Sequence, residues 1–244
     1  MTFADYDFDP DAGLADLTRR IGSLKPDGST LIIGITGSVA VGKSTFATAL
    51  ASALRCPDRG AVEVAATDGF LLPNAVLDER GLTLRKGFPE SFDVEAMATA
   101  LSSVRKGSVT FPAYSHVTYD IDPGLGRSID QPDVLIVEGL GLGPHRSLID
   151  AFIYLDADEA HLEAWFVTRF MGLWEAAESD PGSFYARFRN LDRPSTVEFA
   201  RSVWTAINLP NLREHIAPQR ALADFVVRKR ADHGIAEISG PAAC

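Results

Sequence analysis

Cysteine is nearly absent: the 244 residues hold two, Cys56 and Cys244. Two thiols cannot build a disulfide framework, and a reducing compartment, the cytoplasm, is the expectation. Positive charge is also scarce, with 23 Lys and Arg against 33 Asp and Glu and a formal charge of -10. That balance argues against nucleic acid or an anionic membrane as a partner, and no basic stripe interleaved with aromatics offsets it. Long apolar runs are missing as well. No segment approaches the roughly 18 consecutive apolar residues of a membrane span. Residues 1–7 are acidic and have no apolar h-region, so no secretory leader is expected. Internal repeats, low-complexity tracts and an evident interdomain linker are lacking too. What remains is a chain with 46% hydrophobic and 23% charged side chains. That is enough apolar material for a substantial core, and it is not the composition of a disordered protein.

Short apolar segments rich in Val and Ile occur at residues 31–35, 62–67, 133–137, 152–156 and 224–228. Most are continuously hydrophobic rather than alternating, which predicts strands covered on both faces, as in a parallel sheet. Between them apolar residues recur at helical spacing. The sets are Phe46, Leu50 and Leu54, then Val94, Met97, Ala98, Leu101 and Val104 behind the N-cap candidate Asp93. Leu162, Trp165, Phe166, Phe170 and Trp174 form a third set; Val197, Ala200, Val203, Trp204 and Ile207 form a fourth, with Pro210 as its expected stop. Ahead of the first strand, Leu14, Leu17 and Ile21 predict a short amphipathic helix, and residues 27–29 a turn. Alternating strand and helix predict an α/β fold: a doubly wound, mainly parallel sheet with helices on both faces. Residues 1–30 are expected to pack on the core as a segment, and residues 31–244 to form one domain.

The sharpest motif is Gly37-Ser38-Val39-Ala40-Val41-Gly42-Lys43-Ser44, followed by Thr45. It satisfies G-x-x-x-x-G-K-[ST] and lies directly after an expected strand and before an expected helix. Glycines let the backbone curl so that its N–H groups face phosphate oxygens, and the helix N-terminus adds partial positive charge. Lys43 would reach the β- and γ-phosphates and the Ser44 hydroxyl would ligate Mg²⁺, so ATP and Mg²⁺ are the implied cofactors. The acidic net charge does not oppose this, because salt screens repulsion beyond about 8 Å. An Asn-Lys-x-Asp guanine-reading motif is missing, and the chain is short for a large ATPase. A small-molecule kinase also needs a carboxylate near the γ-phosphate to take the acceptor's proton. Asp68 closes the second expected strand, on the side that faces the ligand crevice of a doubly wound sheet. Its position fits a base, and it equally fits a turn Asp before Gly69.

Several further stretches carry a resemblance. Residues 37–45, 67–74, 86–93 (Lys-Gly-Phe-Pro-Glu-Ser-Phe-Asp) and 112–116 (Pro-Ala-Tyr-Ser-His), with Tyr119-Asp120 just after, together resemble the bacterial type I pantothenate kinases. These belong to the P-loop kinase group that includes uridine kinase and phosphoribulokinase. The likeness continues through residues 137–140, 165–170, 204–209 and 231–233, nearly all of the chain after residue 30. It implies transfer of the ATP γ-phosphoryl group to the primary hydroxyl of pantothenate, the first step toward coenzyme A, with Asp68 as the base. By the same resemblance Glu138 positions Mg²⁺ and its waters; the plain alternative is a surface Glu beside a Gly turn. Arg169 matches a phosphate-contacting arginine. It could instead be a solvated helical charge, although Phe166, Val167 and Phe170 around it would make an isolated charge costly. Tyr114, His116 and Asn208 match pantoate- and amide-contacting groups. His233 matches a residue against the adenine, while Arg230, Asp232 and Gly234 around it equally describe a surface loop. A homodimer is also implied.

The chain departs from that family at three places. Phe166 and Phe184 stand where the family commonly has tyrosines lining the substrate pocket, which leaves the acceptor open. The regions before the phosphate-loop strand and after the Glu138-Gly-Leu turn are shorter than usual. Thr48 and Leu173 replace an arginine and an aromatic that take part in feedback inhibition by coenzyme A, so weak or absent inhibition is expected. Residues 175–194, with Arg187, Arg189 and Arg193, are the expected flap over the reactants; a solvated surface is the alternative. Two other functions stay open on the sequence. One is a kinase of the same architecture for a nucleoside, sugar phosphate or glycerate. The other is a nucleotide-binding regulator without phosphotransfer, although Lys43, Ser44 and Asp68 are all kept.

Overall fold

A computed structural model describes residues 10–24, 30–55 and 60–240. Cys56, Cys244 and the turn expected at 27–29 lie outside the described residues. Strands β1 (Leu31–Gly37), β2 (Val62–Ala66), β5 (Val134–Glu138), β6 (Ala151–Asp156), β7 (Phe225–Lys229) and β8 (Ile235–Ser239) form one sheet in the order β2-β5-β1-β6-β7-β8. The first five are parallel and β8 is an antiparallel edge. β1, β5 and β6 are buried almost throughout, which is why their sequences read as unbroken apolar runs. Connections leave β1 toward β2 on one side and run from β6 to β7 on the other. Right-handed crossovers in opposite directions put helices on both faces of the sheet.

The helices follow the expected stripes. α1 (Pro10–Gly22) buries Leu17 and Ile21 in the main core. α2 (Lys43–Leu54) buries Phe46, Leu50 and Leu54. α3 (Asn74–Glu79) is short. In α4 (Val94–Ser103) the Asp93 carboxylate accepts the Ala96 N–H at 2.8 Å, an N-cap of the expected kind. α5 (Glu159–Ala176) buries Leu162, Trp165, Phe170 and Trp174. α6 (Arg193–Val203) carries the fourth stripe.

Pro210 does not stop that last helix. Winding continues through a π-turn at Trp204–Asn208, where the Leu209 N–H donates to the Trp204 carbonyl five residues back, and on to Ile216. A proline in an α-helix lacks a donor and crowds the carbonyl four residues back. The wider turn relieves both. The strands β3 (Ser108–Ser115) and β4 (Asp120–Asp130), which the sequence does not announce, form a separate antiparallel hairpin. It crosses the open edge of β2: Arg127 bonds the Glu63 carboxylate at 2.6 Å and the Val64 carbonyl, which blunts an unpaired strand.

Candidate active site

The phosphate loop joins β1 to α2. Gly37, Ala40 and Gly42 have φ of 147°, 64° and 90°, so the chain curls through conformations that side chains resist. A Cβ on Gly37 would lie 2.5 Å from the Leu155 carbonyl. Within the loop Val41 and Ser38 are buried. Gly42 is the N-cap of α2 and makes no side-chain cap bond. The opening N–H groups of that helix, which have no intrahelical partner, form an anion site. Lys43 Nζ donates to the carbonyls of Gly37 (3.1 Å) and Ser38 (2.9 Å). Burial lowers its pKa, against the opposing pull of Glu138 and Asp68.

Parallel register brings the two carboxylates to the same edge. Ile35 and Ala66 both pair with Glu138, so the turn Thr67–Phe70 carrying Asp68 lies beside the end of β5. Glycine makes this approach possible. A Cβ on Gly139 (φ 144°) would collide with Thr67 Oγ1, and one on Gly69 with the Pro112 carbonyl. Glu138 is 8% exposed and accepts a hydrogen bond from Ser44 Oγ at 2.7 Å. Burial raises its pKa, opposed by Lys43 and the Ser44 bond. A hydroxyl and a carboxylate oxygen side by side fit Mg²⁺, which takes one or two protein oxygens and completes its shell with phosphate and water.

The hairpin builds the opposite wall. Tyr114 sits on β3, and His116 and Tyr119 in the turn, with the Tyr114 ring 5.2 Å from His116 and 5.9 Å from Tyr119. Phe184 stacks on Tyr119 at 4.2 Å and donates its N–H to the Val117 carbonyl at 2.8 Å, and the Arg187 guanidinium lies over the Phe184 ring at 4.0 Å. Phe166 and Arg169 come from α5, and Asn208 from the π-turn. These groups line one cleft of about 1400 Å³ together with Val39, Ala40, Gly42, Lys43, Ser44, Thr45, Asp68, Glu138 and His233. Of the residues expected at the site, Gly37, Ser38 and Val41 do not line it; they shape the loop from below. Asp68 and Arg169 both act electrostatically on Lys43, His116, Tyr119 and Glu138. Arg169 is exposed, so its apolar neighbours in sequence do not desolvate it. Partial burial holds His116 below the usual imidazole range.

Residues 32–169 match the phosphoribulokinase / uridine kinase family. The chain belongs to that family. A pantothenate kinase of Parvibaculum lavamentivorans is 47% identical over 85% of this chain and 68% of its own length. One of Streptococcus pyogenes is 44% identical over 85% of the chain and 71% of its own. Among solved structures, a candidate fructose transport system kinase of a Silicibacter species superimposes with a TM-score of 0.67 at 25% identity, covering 82% of this chain and 92% of that one. The protein is therefore a P-loop kinase, an ATP-dependent phosphotransferase. Among the described residues no helix is long and apolar enough to cross a membrane.

The kinase cleft is also lined by Lys86, which opens the 86–93 stretch and for which the resemblance implies no role. Lys86 Nζ donates to Asn74 Oδ1 and to the Tyr119 carbonyl, both at 2.6 Å, and lies 4.5 Å from the Tyr119 ring. Burial pushes its pKa down to about 8 in spite of Asp120, Asp68 and Asp78. At the other end of the cleft His233 (φ 64°) stacks on Trp165 at 3.9 Å, while Trp165 Nε1 donates to the Ala231 carbonyl at 3.0 Å. One imidazole face is covered and the residue is otherwise exposed, a flat platform beside the loop. This is the residue that the resemblance sets against the adenine.

Proposed function

We propose that this kinase phosphorylates pantothenate to 4'-phosphopantothenate with ATP as donor. The observation that carries the acceptor is the 47% and 44% identity to pantothenate kinases across 85% of the chain. The convergence of Asp68, Tyr114, His116 and Asn208 on one cleft supports it.

In this reading the phosphate loop holds the triphosphate, with Lys43 against its β- and γ-oxygens. Asp68 accepts the proton of the acceptor hydroxyl as that oxygen bonds to the γ-phosphorus. The bond from the γ-phosphorus to the β–γ bridging oxygen breaks, and ADP leaves with the electron pair. Ser44 and Glu138 would hold Mg²⁺, which would offset charge on the phosphate oxygens. Arg169, exposed to the cleft beside Asp68, neutralises charge on the transferring group, and positioning supplies most of the remaining acceleration. Tyr114, His116 and Asn208 hydrogen-bond the acceptor, with His116 neutral near pH 7 and so able to donate at one nitrogen and accept at the other. Phe166 and Phe184 form the apolar sides of the pocket. His233, backed by Trp165, takes the adenine. Residues 175–194 close over the reactants through Phe184 and Tyr185.

The second reading is a different hydroxyl acceptor, and the observation behind it is that the Phe166 and Phe184 rings line the cleft without a hydroxyl. An ADP-release assay with Mg-ATP separates the two. It compares pantothenate with uridine, ribulose 5-phosphate and glycerate. Turnover with pantothenate far above the other three is expected. Silence with pantothenate and turnover with another acceptor would transfer the assignment to that compound.

A further inference from the structure

Strand β7 turns Phe225, Val227 and Lys229 to its buried side, while Arg228 between them is exposed. Two-residue alternation therefore ends an apolar row on an ammonium. The pairing with β8 breaks register between Arg228 and Lys229, whose partners are Glu237 and Ile235. Such irregularities re-aim side chains. Lys229 is 8% exposed. Among the described residues its Nζ makes one hydrogen bond, to the Val41 carbonyl at 3.4 Å, and no ion pair. Burial alone displaces its pKa, downward, with no acidic neighbour acting the other way. Lys43, also lowered by burial, differs in its partners, with two close carbonyls and two carboxylates in reach.

The position of this ammonium narrows its purpose. A Cβ on Gly42 would lie 3.1 Å from Lys229 Nζ and 3.8 Å from His233 Nδ1. Lys229 thus lies over the N-cap of α2, between the phosphate loop and the His233–Trp165 stack, and it lines the cleft. A buried cation with most of its donors unmet is costly to the fold unless an anion arrives. The α2 N-terminus and Lys43 draw such an anion to the same place.

We propose that Lys229 is a second cation of the nucleotide site and binds the base-proximal, α-phosphate end of the phosphate chain. This rests on reading the loop as a nucleotide site and is independent of the acceptor. Lys43 then serves the β- and γ-phosphates, and Lys229 fixes the nucleotide between loop and base platform.

The test is calorimetric titration of the full-length protein, without acceptor, with ATP, ADP, AMP and adenosine, the weaker ligands by competition. A charge-assisted hydrogen bond lost in Lys229→Gln should weaken ATP, ADP and AMP each by about 10- to 100-fold, and leave adenosine unchanged. Lys229→Arg, which keeps the charge, should recover most of the loss. The melting temperature of ligand-free Lys229→Gln should hold or rise, because an unpaired buried charge has been removed. Equal weakening of AMP and adenosine, or a lower melting temperature with no recovery in Lys229→Arg, would make Lys229 a prop for the loop and overturn the proposal. Unchanged ATP affinity would also overturn it. If the unaltered protein binds none of the four ligands, the nucleotide reading itself fails and this inference falls with it.

Discussion

Asp68→Asn is the sharpest perturbation of the proposed chemistry. It replaces one carboxylate oxygen by an amide nitrogen and conserves volume. The local fold rests on backbone: the Leu71 N–H donates to the Asp68 carbonyl at 3.2 Å, and Gly69 is held against Pro112. Loss of a positioned general base costs about 10²–10⁴ in rate, which is about 2.7–5.5 kcal/mol on the barrier. The Asp68 charge also supports the ammonium forms of Lys43 and Lys86 against burial, so both pKa values should fall further in the variant. Lys86 stands at about 8, and its proton holds the turn at Tyr119 to Asn74. The alkaline limb of the rate profile, expected near that value, should therefore move to lower pH in Asp68→Asn. An ADP-release assay across pH 6–10, with ATP affinity measured alongside, reads both effects. A kcat within about tenfold of the unaltered enzyme would refute Asp68 as the base, and an alkaline limb that stays in place would refute its share, beside Asp120, in holding the Lys86 proton.

Four further outcomes are expected. In Lys86→Met the alkaline limb disappears from the rate profile, together with part of the acceptor affinity; a limb that persists would mean another group titrates. Stability has its own sign. The folded pKa of Lys86 is depressed from 10.5 to about 8, so the unfolded chain binds the proton more tightly, and stability from this group rises between those two values and is lowest below them. Denaturant titrations at pH 7.5 and 9.5 on the unaltered protein and Lys86→Met should show a smaller rise in the variant, the remainder coming from the other buried lysines, Lys43 and Lys229. Gly139→Ala forces a side chain onto Thr67 at a φ of 144°, at a cost of about 1–3 kcal/mol and roughly 2–4 °C of melting temperature for each. An unchanged melt would refute the tight approach of β5 to the Asp68 turn. Coenzyme A should inhibit weakly or not at all, since Thr48 is exposed and bonds the Ser44 carbonyl at 2.9 Å while Leu173 offers the cleft no ring; an inhibition curve of submillimolar potency would contradict this.

How much could be read from residues alone depends on burial. β1, β5 and β6 are covered on both faces, so their apolar runs were unambiguous, and the phosphate loop, Asp68 and Glu138 follow from where those strands end. β3 and β4 are half-buried and carry Pro112, Pro123, Gly124 and Gly126, residues that argue against a strand. Their pairing is a matter of long-range packing over β2, which no local pattern records. Pro210 reads as a stop because the rule assumes α-winding, and π-turns leave no signature of their own. Of the apolar neighbours of Arg169, Val167 and Phe170 point elsewhere on the helix and only Phe166, three residues back, shares its face, so the run of apolar letters does not bury the guanidinium. Lys229 carries no signal of its own, because a lysine at a strand end is ordinarily solvated; only the alternation inherited from Phe225 and Val227 turns it inward.

The separateness of the β3–β4 hairpin has a consequence for how such an enzyme diverges. Among the described residues no ladder bond ties it to the six-stranded sheet; it is anchored by the buried Phe111 and Ile129, by Arg127 and by the glycine contact at Pro112. Substitutions that reshape its tip, and with it the wall that faces the acceptor, leave the strands supporting the phosphate loop untouched. Recognition of the molecule to be phosphorylated can drift while the phosphoryl-transfer apparatus is inherited whole. A hairpin transplanted between relatives with its Gly69 counterpart is accordingly the smallest unit by which one kinase could be given the taste of another.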